Sequence, residues 1–204
     1  MTEEIIIGTT NPAKVEQIRG ALQPLGLVIN GIGEDVILPE VAEDGKTAQE
    51  NACKKATAYA NFLKKNVLSM DNALYFDKLT LEEQPGLNVR RIKSSNSRPT
   101  DEEMLNYYSD LIEKHGGKIN GHWEFAICFV KSTGEKYETT IISPRIFTSK
   151  VSSDVVPGYP LESIQVDPES GKYVSEMSKE EQASFWQKSI GSELMSFVKS
   201  ILKK

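Results

Sequence analysis

Apolar runs of strand length alternate with amphipathic stretches of helix length along this chain, and that alternation constrains the fold more than any other feature. Glu4 to Gly8 (E-I-I-I-G) reads as a short buried strand, since a continuous apolar run suits a sheet covered on both faces. Thr9-Thr10-Asn11-Pro12 breaks the run and opens a helix. Asn11 suits a cap, and Pro12 suits the first helical position, where its missing N–H has no helical partner to lose. Val15, Ile18, Ala21 and Leu22 give that helix an apolar face, and a strand pattern follows from Leu27 to Ile32.

The pattern then repeats. Thr47 to Leu63 predicts a helix that starts with a capping box (Thr47, Glu50) and aligns Ala52, Ala56, Tyr59, Ala60 and Leu63 on one side. Val67 to Met70 reads as a strand ending at Asp71. Thr100 to Lys114 predicts a second boxed helix (Thr100, Glu103) stopped by Gly116-Gly117. Trp123 to Val130 and Tyr137 to Ile142 predict an antiparallel hairpin turning through Ser132-Thr133-Gly134. Pro157 to Gly171 reads mostly as loop. Two helices close the chain, one from Ser178 with Glu181 three residues on, the other carrying Leu194, Phe197, Val198, Ile201 and Leu202. The order β-α-β-α-β-α-β-β-α-α predicts an α/β layered fold with a mixed sheet.

Length and charge narrow the function. The 204 residues suit one domain, residues 1–204, with room for two lobes. At this size folding buries roughly 70% of the unfolded surface, so a full core forms without staples. Lys plus Arg is 24 against 29 Asp plus Glu, a net charge of −5. An acidic chain is a poor general binder of nucleic acid or anionic membrane, so neither is expected as a partner. An anionic ligand remains open where cations concentrate locally. Cys53 and Cys128 stand far apart and form no Cys-x-x-Cys, which points to a reducing, cytoplasmic setting. The acidic start Met1-Thr2-Glu3-Glu4 lacks the basic head of a signal peptide. No apolar stretch approaches the ~20 residues of a membrane helix.

Several chemistries drop out. There is no Walker loop, no G-x-G-x-x-G and no G-x-S-x-G. His115 and His122 share no ligand spacing, which argues against a zinc site or a histidine triad. A metal here would be a hard cation on carboxylates, with Mg²⁺ the leading candidate.

Four segments carry positive signals. Gly8 to Lys14 runs a strand into a helix N-terminus, where free N–H groups and the dipole favour an anion beside Thr9, Thr10 and Lys14. Taken alone it is equally an ordinary capped helix start, the commoner case. Glu50, Asn51, Lys54 and Lys55 place a carboxylate beside two ammonium groups, although Glu50 also suits a capping box and an i,i+4 pair with Lys54. Asp71, followed by Asn72, falls at the carboxyl end of a strand, where ligands gather in α/β sheets; a turn-forming Asp is the alternative. Arg90, Arg91 and Lys93 cluster three cations after Pro85-Gly86, as a solvated loop or as a clamp for phosphate or carboxylate.

In order, these segments resemble the inosine/xanthosine triphosphate pyrophosphatase family, whose members cut aberrant purine nucleoside triphosphates to monophosphate and pyrophosphate. The family's T-G-N-x-x-K corresponds to Thr9 to Lys14, and its T-F-x-E-N-A-x-x-K-A to Thr47 to Ala56. Its A-D-D-S-G-L corresponds to Ser69 to Leu74, and its P-G-x-x-S-A-R to Pro85 to Arg91. The second half departs further. G-F-G-Y-D-P becomes Val156-Pro157-Gly158-Tyr159-Pro160-Leu161, and Lys, His and Arg of K-N-x-x-S-H-R align with Ser184, Ser189 and Ile190. Met70 stands where the family has its first Asp.

The resemblance implies a substrate-binding set of Thr9, Thr10, Asn11, Lys14, Asn51, Lys55, Asn72, Arg91 and Tyr159, with phosphate or ribose contacts at Thr9, Asn11, Lys14 and Lys55. It implies Mg²⁺ held by Glu50 and Asp71, with Asp71, Lys14 and Lys55 catalytic. Asp71 would orient or deprotonate the attacking water, and the lysines would stabilise charge on phosphate oxygens. It also implies an elongated central mixed β-sheet flanked by helices, two lobes with a cleft between them, and a homodimer. Tyr159, Phe185 and Trp186 are candidates for stacking on the base, or for plain packing. Two alternatives stand beside the enzyme: a catalytically degenerate nucleotide-binding module, and a related pyrophosphatase for pyrimidine or modified nucleotides.

Overall fold

Ile5, Ile6 and Ile7 are all buried, and the strand they form sits inside the sheet with neighbours on both sides. The computed structural model describes residues 4–33, 35–90, 92 and 99–203. Its six-stranded sheet has the order β2-β1-β3-β4-β5-β6, with β1 (Glu4–Ile7), β2 (Val28–Asn30), β3 (Asn66–Phe76), β4 (Lys118–Val130), β5 (Lys136–Thr148) and β6 (Gln165–Val166). β1 pairs in parallel with β2 and with β3, while β6 pairs antiparallel to β5. The sheet is therefore mixed, as the element order predicts. Five α-helices accompany it: α1 (Pro12–Leu22), α2 (Ala48–Leu63), α3 (Asp101–Lys114), α4 (Lys179–Trp186) and α5 (Ser192–Leu202). No helix among the described residues is long and apolar enough to cross a membrane.

The chain divides into two compact units. The first comprises Met1–Asn72, Glu124–Ile141 and Ala183–Lys204. Its α2 lays the alanine stripe Ala52, Ala56 and Ala60 against Ile6, Val67, Cys128 and Val130 of the sheet. Small side chains there let a helix lie close to a β-surface crowded with branched residues. The second comprises Ala73–Trp123 and Ile142–Gln182. Its core gathers Leu74, Phe76, Met104, Tyr108, Ile112, Ile119 and Phe147, with the Phe76 and Phe147 rings edge to face at 4.8 Å.

Local rules account for much of this. α3 begins with the full reciprocal capping box of Thr100 and Glu103, and Gly116 and Gly117 follow its end at φ +99° and +77°, conformations that glycine adopts without strain. The β4–β5 hairpin closes through Lys131 N–H to Glu135 O, a loop too short for anything but antiparallel strands.

The differences from the sequence reading are informative. β2 is shorter than Leu27 to Ile32, because it pairs with β1 only over Val28 to Asn30. The hairpin strands are longer at both outer ends. β3 does not end at Asp71: Asp-Asn is weak strand sequence, but the sheet carries the backbone on to Phe76. The segment from Pro157 to Gly171 holds a 3₁₀ turn (Pro160–Ser163) and β6 within its loops. A π-helical turn, Gln187–Gly191, joins the two C-terminal helices.

Candidate active site

The site starts where β1 ends. Gly8 N–H donates to Leu68 O at 2.8 Å, and a Cβ on Gly8 would stand 2.2 Å from Ser69 Oγ and 2.8 Å from Val67 Cγ1. Only glycine lets the chain leave the sheet this close to β3. Ser69 Oγ then donates to Gly8 O at 3.1 Å and holds the exit. Thr9 Oγ1 accepts the Asn11 N–H at 3.2 Å, and Pro12 takes the first position of α1. Thr10 and Asn11 are exposed at this helix start.

Two helices then converge on one carboxylate. Lys14 Nζ, from the first turn of α1, lies 3.7 Å from Asp71 Oδ1 and donates to Met70 O at 3.2 Å. Lys55 Nζ, from α2, lies 3.6 Å from the same Asp71 oxygen. The three side chains are 20%, 10% and 14% exposed for Lys14, Lys55 and Asp71, so water screens them poorly. Two ammonium groups on one carboxylate leave an excess positive charge. Glu43, whose half-exposed carboxylate reaches Lys55 Nζ at 3.4 Å, formally balances it from the solvent side. Burial pushes the Lys14 amine below the usual lysine range; Asp71 pulls it back up, and Lys55 pushes it further down. The acidic chain thus concentrates cations at one point, the condition for holding an anion.

The other expected residues divide. Asn51 is buried, and its Oδ1 accepts the Gly45 N–H at 2.8 Å, which holds the loop that carries Glu43. The Asn72 amide oxygen is buried with no hydrogen-bond partner among the described residues. Glu50 completes only half of a capping box: Thr47 Oγ1 accepts its N–H, but its carboxylate accepts from Lys46 N, one residue before the cap. Lys54 pairs with Asp44 at 2.5 Å, not with Glu50. Helical geometry sets Glu50 about 140° around α2 from Lys55. Met70 is buried in the core.

Arg91 and Lys93 lie outside the described residues. Arg90 is engaged structurally: its guanidinium donates to Gly158 O at 2.5 Å, and the Gly158 N–H donates to Asp101 at 2.6 Å. Tyr159 belongs to the second unit and is half-buried. Phe185 and Trp186 pack edge to face with each other, and Trp186 also meets Phe125, which is the packing alternative. Ser184 is exposed, Ser189 is half-buried and Ile190 is in the core.

Sequence reasoning missed Glu43, since an isolated Glu in a loop carries no pattern. It also missed that Cys53 and Cys128 meet in space, because separation along the chain says nothing about neighbours across a sheet.

The chain resembles known proteins in sequence and in fold. The model of the Ham1 family matches residues 5–192. A dITP/XTP pyrophosphatase of Exiguobacterium sp. is 30% identical over 182 residues, 88% of each chain. A dITP/XTP pyrophosphatase of Rhodopirellula baltica is 27% identical over 180 residues, 86% of this chain and 82% of that one. Among solved structures, a HAM1 protein from Coxiella burnetii superposes with a TM-score of 0.75 at 18% identity, over 98% of this chain and 100% of that one. The Staphylococcus aureus Ham1 protein does so at 0.72 and 21%, over 97% and 99%. The structural likenesses speak for the fold, and the residues matched by the family model include all four motif segments of the first half. The chain belongs to the Ham1 family.

Proposed function

We propose that this chain is a nucleoside triphosphate pyrophosphatase that hydrolyses its substrate at the α–β linkage, releasing nucleoside monophosphate and pyrophosphate. One observation carries the reading: Asp71 Oδ1 lies between the ammonium groups of Lys14 and Lys55. A carboxylate so placed can orient a water or take its proton. The two lysines supply fixed positive charge for phosphate oxygens in a poorly screened place. Thr9, Thr10, Asn11 and the open amides of α1 position the phosphate chain beside Lys14. Glu43 gives way to the incoming anion, since its link to Lys55 is the most exposed of the three contacts. Asn51, Asn72, Arg91 and Tyr159 complete the binding set by analogy with the family. The activity of the relatives, dITP/XTP pyrophosphatases, points to aberrant purine triphosphates as the substrate class.

Mg²⁺ is the metal we assign. Asp71 offers carboxylate oxygens, the hard donors this cation takes, and the Asn72 oxygen is a further acceptor; Glu50, on the other side of α2 from Lys55, belongs to the set by analogy with the family alone. With Met70 in the core, the protein would supply few carboxylates to such an ion. Bound there, Mg²⁺ would offset phosphate charge and polarise the phosphoryl group.

The test is pyrophosphate release from inosine, xanthosine and common purine and pyrimidine triphosphates with Mg²⁺, beside Asp71→Asn and Lys55→Gln. Release by the wild type that falls by about 10²–10⁴-fold in Asp71→Asn supports the reading. The rival is a nucleotide-binding module, favoured by the core positions of Met70 and Ile190. Folded protein that binds a triphosphate without releasing pyrophosphate from any of them would establish the rival.

A further inference from the structure

A second cluster lies in the first unit, away from Asp71. Cys53 of α2, Cys128 of β4 and Glu138 of β5 bring two Sγ atoms and a carboxylate oxygen within 4.8 Å of one another. Tetrahedral thiolate ligation spaces its sulfurs about 3.8 Å apart, so a modest closure completes such a shell. The surroundings are already built. Gln49 Nε2 donates to Cys53 Sγ at 3.3 Å and to Ile127 O at 3.0 Å, and its Oε1 accepts from Thr140 Oγ1 at 3.1 Å. The Gln49 amide is thus locked in the orientation that favours a thiolate on Cys53. Lys136 lies 2.8 Å from the Glu138 carboxylate and offsets charge there.

Access exists on one side. Cys53 lines an open groove of about 700 Å³ together with Glu50, Lys54 and Lys136, whereas Cys128 is fully buried. An ion enters past Cys53. This face of α2 is separate from the lysine site, because Cys53 and Lys55 point about 160° apart around the helix.

We propose that Cys53, Cys128 and Glu138 bind one thiophilic divalent cation of the Zn²⁺ class, with water as the fourth ligand. Two sulfurs and one carboxylate with an open position suit such an ion and not Mg²⁺. On binding, each thiol gives its proton to solvent and forms a sulfur–metal bond, so two protons are released per ion.

The experiment uses the full chain, reduced and held in excess Mg²⁺ to occupy the hard-cation site, titrated with Co²⁺ and then displaced by Zn²⁺. The expected result is one equivalent of Co²⁺ with thiolate-to-metal charge-transfer absorption, removed by Zn²⁺. Cys53→Ser should abolish the band. Gln49→Ala should keep it while weakening affinity by about 10–100-fold. These two variants decide the matter even where Cys128→Ser, at a fully buried position, fails to fold. No band, or Co²⁺ uptake unchanged in Cys53→Ser, would overturn the site. Neither readout depends on pyrophosphatase activity.

Discussion

Asn51 Oδ1 accepts the Gly45 N–H at 2.8 Å, and this bond, beside the Lys46–Glu50 and Asp44–Lys54 contacts, ties the loop that carries Glu43 to the helix that carries Lys55. The approach is tight: a Cβ on Gly45 would lie 2.5 Å from the Asn51 oxygen. Asn51→Leu strands the Gly45 N–H and should cost about 1–3 kcal/mol. Asn51→Asp keeps the acceptor and should cost less. Urea midpoints of the two variants check this, and equal losses would show that the bond does not hold the loop.

Gly8→Ala should destabilise by about 1–3 kcal/mol, because its methyl meets Ser69 Oγ and Val67 Cγ1 inside van der Waals contact. Adding Ser69→Ala should recover part of the loss, since one of the two obstructions goes. Thermal melts of the single and double variants measure it.

The lowered Lys14 pKa has a kinetic consequence under the proposed function. If the ammonium form binds phosphate, kcat/KM should fall with rising pH at a lower pH than an ordinary lysine would set. Lys14→Arg stays charged throughout, so the alkaline limb should move upward. A limb that does not move in Lys14→Arg would assign it to another group.

Glu162 offers a stability test in the second unit. Burial raises its carboxyl from 4.5 to about 7. The folded state then holds a proton that the unfolded state has lost, so stability should fall as pH rises from about 4.5 to about 7. Glu162→Gln removes that slope and should be more stable at pH 8, by roughly 1–3 kcal/mol. Denaturant unfolding across the range reads the slope directly.

Elements with complete local signals were legible from sequence. The Thr100 and Glu103 box and the Gly116-Gly117 stop bound α3 as read, and the alanine stripe of α2 faces the sheet as its spacing predicts. The end of β3 was not legible, because Asp71 and Asn72 carry turn propensity and the sheet overrode it. Glu50 shows the same limit at one residue: the sequence matches a capping box, yet its carboxylate reaches Lys46.

The sequence by itself determined the order of elements, the boxed helix starts, the acidic balance and the family motifs that name Lys14, Lys55 and Asp71. These follow from periodicity, local hydrogen bonding and residue type, all of which act over a few positions. Tertiary structure alone decided that Lys14 and Lys55 share a single oxygen of Asp71, that Glu43 joins them, and that Cys53 meets Cys128 and Glu138. Those pairings depend on which strands lie side by side and which way each helix turns on the sheet. Local sequence does not encode them, because each is settled by the burial of distant surfaces against one another.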